Sequence, residues 1–244
     1  MSTQTRPIVQ QEPIGLESNP QFSAVSVALI DHMGSDLSVV NAARVSFAKE
    51  SQWLNGQVNQ LSMRDQKLIE YLAEHNHWSP FGHAFASFRI KAPVISARQL
   101  VKSSVGLCWN EISRRYVSYE PEVFSVPVWR GAPVNAKQGS TGEPHISQAA
   151  ACEVYEKVSM HAIAGYNELV AGGVAPEQAR LVLPQSMMTE WIWSGTLAAF
   201  ARVCKLRMAQ DTQAETRAVA NGIGAEMERL FPFSFKALLN LWKV

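Results

Sequence analysis

The stretch Arg98-Gln-Leu-Val-Lys-Ser-Ser-Val-Gly-Leu-Cys-Trp-Asn-Glu-Ile-Ser-Arg-Arg-Tyr116 changes its periodicity part-way along. Pro93 opens the region, and Ile95 to Val101 has the spacing of a short helix that Gly106 ends. From Asn110 to Val117 the pattern becomes near-alternation, which turns Ser113 and Arg115 one way and Arg114 the other. The run holds Arg98, Lys102, Arg114 and Arg115, the carboxylate of Glu111 and several short polar groups, set among Leu, Val and Trp. A solvated charge run needs no such apolar company. Cations at a helix end beside Glu and Ser suit a small, anionic, hydrogen-bonding ligand, because Arg grips a phosphate through two parallel bonds. A salt-bridged structural segment has the same composition, and residue types alone do not separate the two.

Upstream, Ala84 to Ile90 sets Phe85, Ser87 and Arg89 against Ala86, Phe88 and Ile90, the alternation of a strand leading into this stretch. Before it, Ser79-Pro80 reads as a turn and a helix start. His75, His77 and His83 lie close together, but their spacing matches no structural zinc pattern and there is no HExxH, so no metal site is expected. Ser62 begins a helix with Leu68, Ile69 and Leu72 as its buried stripe. Leu37 to Phe47 is expected to be helical, Asp31-His-Met-Gly34 to turn the chain, and Ser23 to Ile30 to form a strand. Residues 1–20, with Pro7, Pro13 and Pro20, read as a loose arm.

Downstream, the chain from Tyr116 to Glu143 is loop-like, rich in Pro, Gly and polar residues. His145 to Ala171 carries Ile146, Ala149, Ala150, Val154, Val158, Ile163 and Leu169 at helical spacing, and Gly172-Gly173 caps it. Pro176 opens a short helix with Arg180, which Pro184 closes. Leu197, Phe200, Ala201 and Cys204 form a buried stripe that ends near Arg207. Thr212-Gln-Ala-Glu215 is a capping-box pattern, with Val219, Ile223, Met227 and Leu230 inside the following helix. No linker divides the chain, so one domain over 21–244 is expected.

With 244 residues, 47% of them hydrophobic, and seven Trp, the chain can bury a substantial core. A net charge of +1 argues against a long nucleic acid as partner, though not against one phosphate. Cys108, Cys152 and Cys204 show no disulfide spacing, and no apolar run nears the length of a membrane span. A cytoplasmic protein is the expectation.

Several segments recur together, in this order, in one family. They are Asp31-His-Met-Gly34, Ala43-Arg-Val-Ser-Phe47, His77-x-Ser-Pro-Phe-x-His83, the central stretch, Ala179-Arg-x-Val-Leu-Pro184, and Leu206-Arg207 with Gln213 and Glu215. Over about residues 23–240 the chain closely resembles the flavin-dependent thymidylate synthases. The resemblance implies a single α+β domain with a small antiparallel sheet and several long helices, assembled as a homotetramer with sites shared between subunits. It implies methylation of dUMP at C5, with carbon from methylenetetrahydrofolate and hydride from FAD reduced by NADPH. Gln99, Lys102, Glu111, Ser113, Arg114, Arg115, Arg180 and Arg207 would bind dUMP, with Arg207 as the catalytic cation against the pyrimidine. Ser79, Lys102, Ser103, Ser104, Glu111 and Arg202 would meet FAD.

The departures fall on the flavin side. The usual Arg-His-Arg reads Lys102-Ser103-Ser104, and the run to Asn110 is one residue longer. Gly82 replaces a Glu, Thr196, Ala198 and Arg202 replace Asn and Arg side chains, and Asp211 stands where some members have His. Cys108 replaces a Ser. It reads as a small buried residue beside Trp109 or as a nucleophile that Arg115 or Lys102 activates, and the family's chemistry needs no such nucleophile. Hydroxymethylation of dUMP without net reduction, or nucleotide binding without catalysis, are the alternatives on this scaffold.

Overall fold

Residues 85–93 alternate in burial as a half-covered strand should, with Ala86, Phe88, Ile90 and Ala92 buried and Phe85 and Arg89 exposed. The structure is a computed structural model describing residues 22–117, 119–133 and 139–243; the expected arm at 1–20 lies outside the described residues. The strands are β1 (Phe22–Ser23), β2 (Ser26–Met33), β3 (Phe85–Pro93), β4 (Leu107–Glu111), β5 (Val123–Phe124) and β6 (Met188–Thr196). The α-helices are α1 (Asp36–Arg44), α2 (Met63–Glu74), α3 (Val94–Leu100), α4 (Gln148–Ala171), α5 (Pro176–Ala179), α6 (Leu197–Arg207), α7 (Ala214–Leu230) and α8 (Pro232–Leu241). An antiparallel sheet runs in the order β2-β3-β6-β4, and β1 pairs with β5 in a separate parallel ribbon.

One face of this sheet is the core. Phe88 pairs in register with Trp193, and Trp193 with Trp109. Phe200 of α6 meets Phe88 and Trp193 edge-on, with ring centroids 5.1 and 5.5 Å away. Helix α7 lies against β2 and β3, α6 and α8 pack beside it, and α2 packs on α8. Gly195 lets β4 come close, since a Cβ there would stand 2.5 Å from the Gly106 carbonyl oxygen. The opposite face carries Ser87, Arg89, Glu190, Ile192, Cys108 and Asn110, half-buried or exposed.

Local signals place several boundaries. Ser35 and Ser38 form a reciprocal capping box on α1, Ser62 caps α2, and Thr196 caps α6 by accepting the Ala199 N–H. Other expectations change. Asp31-His-Met stays in β2 and the chain turns at Gly34, where φ is +83°. The α-helix expected over Leu37–Phe47 ends at Arg44 and tightens to 3₁₀ geometry over Val45–Phe47. Thr212 does not cap α7; its hydroxyl donates to the Leu206 carbonyl, and Glu215 pairs with Arg130 instead. The long helix forms, but only Ser159, Ile163 and Tyr166 of α4 are buried, while Ile146, Val154 and Val158 stand in solvent. Cys108 is exposed on the open face, not buried. The expectations from sequence include no strand at Met188–Thr196, where β6 forms, and no helix at Pro232–Leu241, where α8 forms.

Candidate active site

Helix α6 ends at Arg207, and that position fixes the chemistry around it. The Arg207 Nη2 donates to the backbone carbonyl of Gln99 on α3 at 3.3 Å, while its Nε is buried with no hydrogen-bond partner. A buried guanidinium N–H without an acceptor is costly, so the fold leaves the Arg207 cation incompletely satisfied. Gln99 Nε2 donates to Gln213 Oε1 at 2.6 Å, and the hydroxyl of buried Thr216 donates to Gln99 Oε1 at 3.2 Å. Arg207, Gln99 and Gln213 border a cavity of about 770 Å³ also lined by Arg130, Asp211 and Arg217, with Thr216 buried behind them.

The wall of the cavity is braced. Arg130 donates to both carboxylate oxygens of Glu215, at 2.9 and 3.2 Å, and to Ser140 Oγ at 2.8 Å. Arg217 Nη1 donates to the carbonyls of Ala209, Gln210 and Thr212, which holds the α6–α7 connection in place. Sequence reading did not single out Arg130, Arg217 or Thr216. Only Thr216 had a nearby signal, standing next to the Glu215 of the family motif.

The remaining expected residues lie elsewhere on the chain. At the end of β4, the Glu111 carboxylate accepts from Thr189 Oγ1 at 2.6 Å and from Trp109 Nε1 at 3.2 Å. Ser113 Oγ accepts the Arg115 Nε–H at 3.2 Å, and the exposed Arg115 guanidinium lies 4.9 Å from the Tyr116 ring centre. Arg114 is 5% exposed, donates to the Tyr119 carbonyl and stacks on that ring, so within this chain its guanidinium is engaged by the fold. Arg114 and Arg115 do face opposite ways, but through a turn after β4 in place of continued alternation. Arg180 is exposed, its Nε donating to the Glu177 carbonyl. Among the described residues, the cavity that Arg207 lines does not include Ser113, Arg115 or Arg180.

Lys102, Ser103 and Ser104 form the turn after α3, with Lys102 and Ser104 exposed. Arg202 Nη2 donates to the Val105 carbonyl at 2.7 Å, and its guanidinium faces Trp242. It braces the turn from behind. Ser79 is exposed at the start of the 3₁₀ segment Ser79–His83. Among the described residues no group of three or more His, Cys, Asp or Glu comes together as a metal site. Burial pushes the Cys204 thiol up to about 12, so that sulfur stays protonated.

Residues 28–233 match the family model described as thymidylate synthase complementing protein. The flavin-dependent thymidylate synthase of Thermus thermophilus is 35% identical over 211 residues, covering 86% of this chain and 74% of that one. This chain belongs to that family. The flavin-dependent thymidylate synthase of Thermotoga neapolitana is 32% identical over 213 residues, covering 87% of this chain and 90% of that one. Among solved structures, the UMP/dUMP methylase PolB from Streptomyces cacaoi, bound with 5-Br dUMP, superposes with a TM-score of 0.76 at 28% identity. That superposition covers 88% of this chain and 95% of PolB, so the family's mixed single-domain fold is the fold described above.

The family name implies a flavin, and the turn after α3 offers fitting groups. Lys102 supplies a cation, Ser103 and Ser104 supply hydroxyls, and Gly106 at φ +76° reverses the backbone without a side chain in the way. Exposed donors of this kind suit a diphosphate.

Proposed function

We propose that this protein transfers a one-carbon unit from methylenetetrahydrofolate to C5 of dUMP, giving dTMP, with NADPH as the ultimate reductant. The observation that carries this reading is the buried, unpartnered Nε of Arg207 at a cavity bordered by Gln99 and Gln213. A guanidinium is always charged and cannot give up its proton. Held against a pyrimidine carbonyl, it stabilises the negative charge that builds as C5 becomes nucleophilic. The Gln99 carbonyl orients that guanidinium before substrate arrives. Lys102, Ser103 and Ser104 would hold the FAD diphosphate, and the bound flavin supplies the hydride that completes the methyl group.

The scatter of Arg115, Ser113 and Arg180 away from the Arg207 cavity supports a site shared between subunits of a homotetramer. In such an assembly the phosphate-gripping cations of one chain serve the pyrimidine cavity of another. The fold relationship to a UMP/dUMP methylase makes UMP a substrate to compare with dUMP.

The test combines purified protein, dUMP or UMP, methylenetetrahydrofolate, FAD and NADPH, with products identified by mass spectrometry. dTMP that requires both FAD and NADPH is the expected result. A hydroxymethyl nucleotide formed without NADPH would leave the substrate standing and overturn the reaction. No turnover and no nucleotide binding would overturn both.

A further inference from the structure

We infer that Arg202 is a positioning residue for the flavin: it holds the Val105 carbonyl inward and so turns the Gly106 N–H outward, as a donor for the diphosphate. Arg202 is half-buried on α6, and its Nη2 donates to the Val105 carbonyl at 2.7 Å. The next carbonyl of the turn also faces α6, since Gly106 accepts the Thr196 N–H at 3.1 Å. A trans peptide is planar, with its C=O and N–H pointing opposite ways. The Gly106 N–H therefore points away from Arg202, and Gly106 is exposed on the same turn as Lys102 and Ser104. Backbone N–H groups displayed by a turn beside a cation make a seat for an anion. With Lys102-Ser103-Ser104 in place of Arg-His-Arg, that seat has one cation of its own and depends the more on its backbone donors.

A glycine takes either sign of φ, so the Val105–Gly106 peptide is free to turn over and offer its carbonyl to the ligand instead. A carbonyl oxygen facing a diphosphate repels it. Arg202 selects one sense, because a guanidinium can only donate and therefore draws the carbonyl, never the N–H, toward itself. Its charge also polarises the peptide it holds, which strengthens the N–H on the far side as a donor. Trp242 backs the arrangement. Its ring centre lies 5.9 Å from the Arg202 guanidinium, and the residue is 3% exposed. Its indole N–H donates to Asn76 Oδ1, and its carbonyl accepts from Lys205 Nζ. Asn76 lies in the turn that leads to Ser79, so one buried indole links the two segments assigned to the flavin.

This role rests on the flavin reading of the turn, and the experiment separates the two. FAD affinity is measured by quenching of flavin fluorescence for wild type, Arg202→Met, Arg202→Gln and Arg202→Lys. Amide hydrogen exchange is followed by mass spectrometry on the same full-length proteins without flavin. Arg202→Met removes the donor at similar length and should weaken FAD by about tenfold or more, the order of one charge-assisted hydrogen bond. In that variant the Ser103 and Leu107 N–H groups, which donate to the Leu100 and Ser104 carbonyls, should exchange faster, while α6 and β6 keep their wild-type rates. Arg202→Lys restores a donor and should recover both readings. Arg202→Gln is too short to reach the Val105 carbonyl and carries the test if Arg202→Met fails to fold. Wild type that binds no FAD overturns the flavin reading and this role with it. Wild-type FAD affinity in the Met and Gln variants overturns the role alone. So does weakened FAD binding with an unchanged turn, which would mean that Arg202 touches the flavin directly.

Discussion

The carboxylate of Asp36 accepts the backbone N–H of Ser234, 198 residues further along the chain, at 2.8 Å. Its other oxygen accepts the N–H of Phe233 at 3.1 Å. A side chain at the start of α1 therefore caps α8, whose N-cap residue, Phe231, has no side chain that could. Asp36→Ala removes that cap and leaves buried N–H groups without an acceptor. A loss of about 1–3 kcal/mol is expected, read as a lower urea midpoint at neutral pH. An unchanged midpoint would show that the cap contributes nothing.

Two buried carboxyls give opposite pH signatures. Burial pushes Asp36 above its ordinary 3.8, outweighing the Ser234 and Phe233 hydrogen bonds that pull it down. Its contribution is therefore gained as pH falls through its raised folded value, and is complete below 3.8. Burial also acts upward on Asp65, but hydrogen bonds from Ser62, Arg44 and Ser51 and the Arg44 charge outweigh it and hold the carboxyl below 3.8. Its contribution is present above 3.8 and is lost as pH falls through the lowered folded value. Asp65→Asn should accordingly be destabilised at neutral pH and lose less than wild type on acidification. Parallel urea titrations from neutral pH down to about pH 3 decide it, and a wild-type acid limb in the variant would contradict the assignment.

Gly195 is expected to tolerate no side chain. An added Cβ would stand 2.5 Å from the Gly106 carbonyl oxygen and 2.5 Å from Leu107 Cδ2, so β4 would have to shift. Gly195→Ala should cost roughly 1–3 kcal/mol, the usual range for forced overpacking. Because β4 leads into Glu111 and Ser113, dUMP affinity should weaken along with thermal stability. A variant as stable as wild type would mean that the strand yields more easily than its packing implies.

The proposed sharing of the site between subunits has a direct genetic test. Arg207→Ala should cut kcat by about a hundredfold or more, as loss of a group stabilising a developing anion does. Arg115→Ala should weaken nucleotide binding through the lost phosphate grip. Co-expression of the two inactive variants should restore activity, since mixed oligomers would contain sites with an intact Arg207 from one chain and an intact Arg115 from its neighbour. Absence of any recovery would place both groups in one chain's site.

Much of this protein is legible from local order. Alternation at 84–90 marks β3, Ser62 caps α2 where a helix start is expected, and the stripe from Val219 to Leu230 is the buried side of α7. Such features depend on residues within a few positions of one another, so periodicity and capping chemistry expose them. The family motifs likewise carry Gln99, Glu111, Ser113, Arg115, Arg180 and Arg207 as a set. β6 is not legible locally because Met-Thr-Glu-Trp-Ile-Trp-Ser-Gly-Thr is central only once β3 and β4 flank it. Helix α4 misled because helical spacing reports a face and not what covers it. Which cations are free was likewise decided in three dimensions. Arg114 and Arg202 are engaged by Tyr119 and Val105, whereas Arg207 keeps a buried N–H unpaired. Charge and position in sequence are the same for a committed guanidinium and a waiting one. Only the fold decides which carbonyls come within reach.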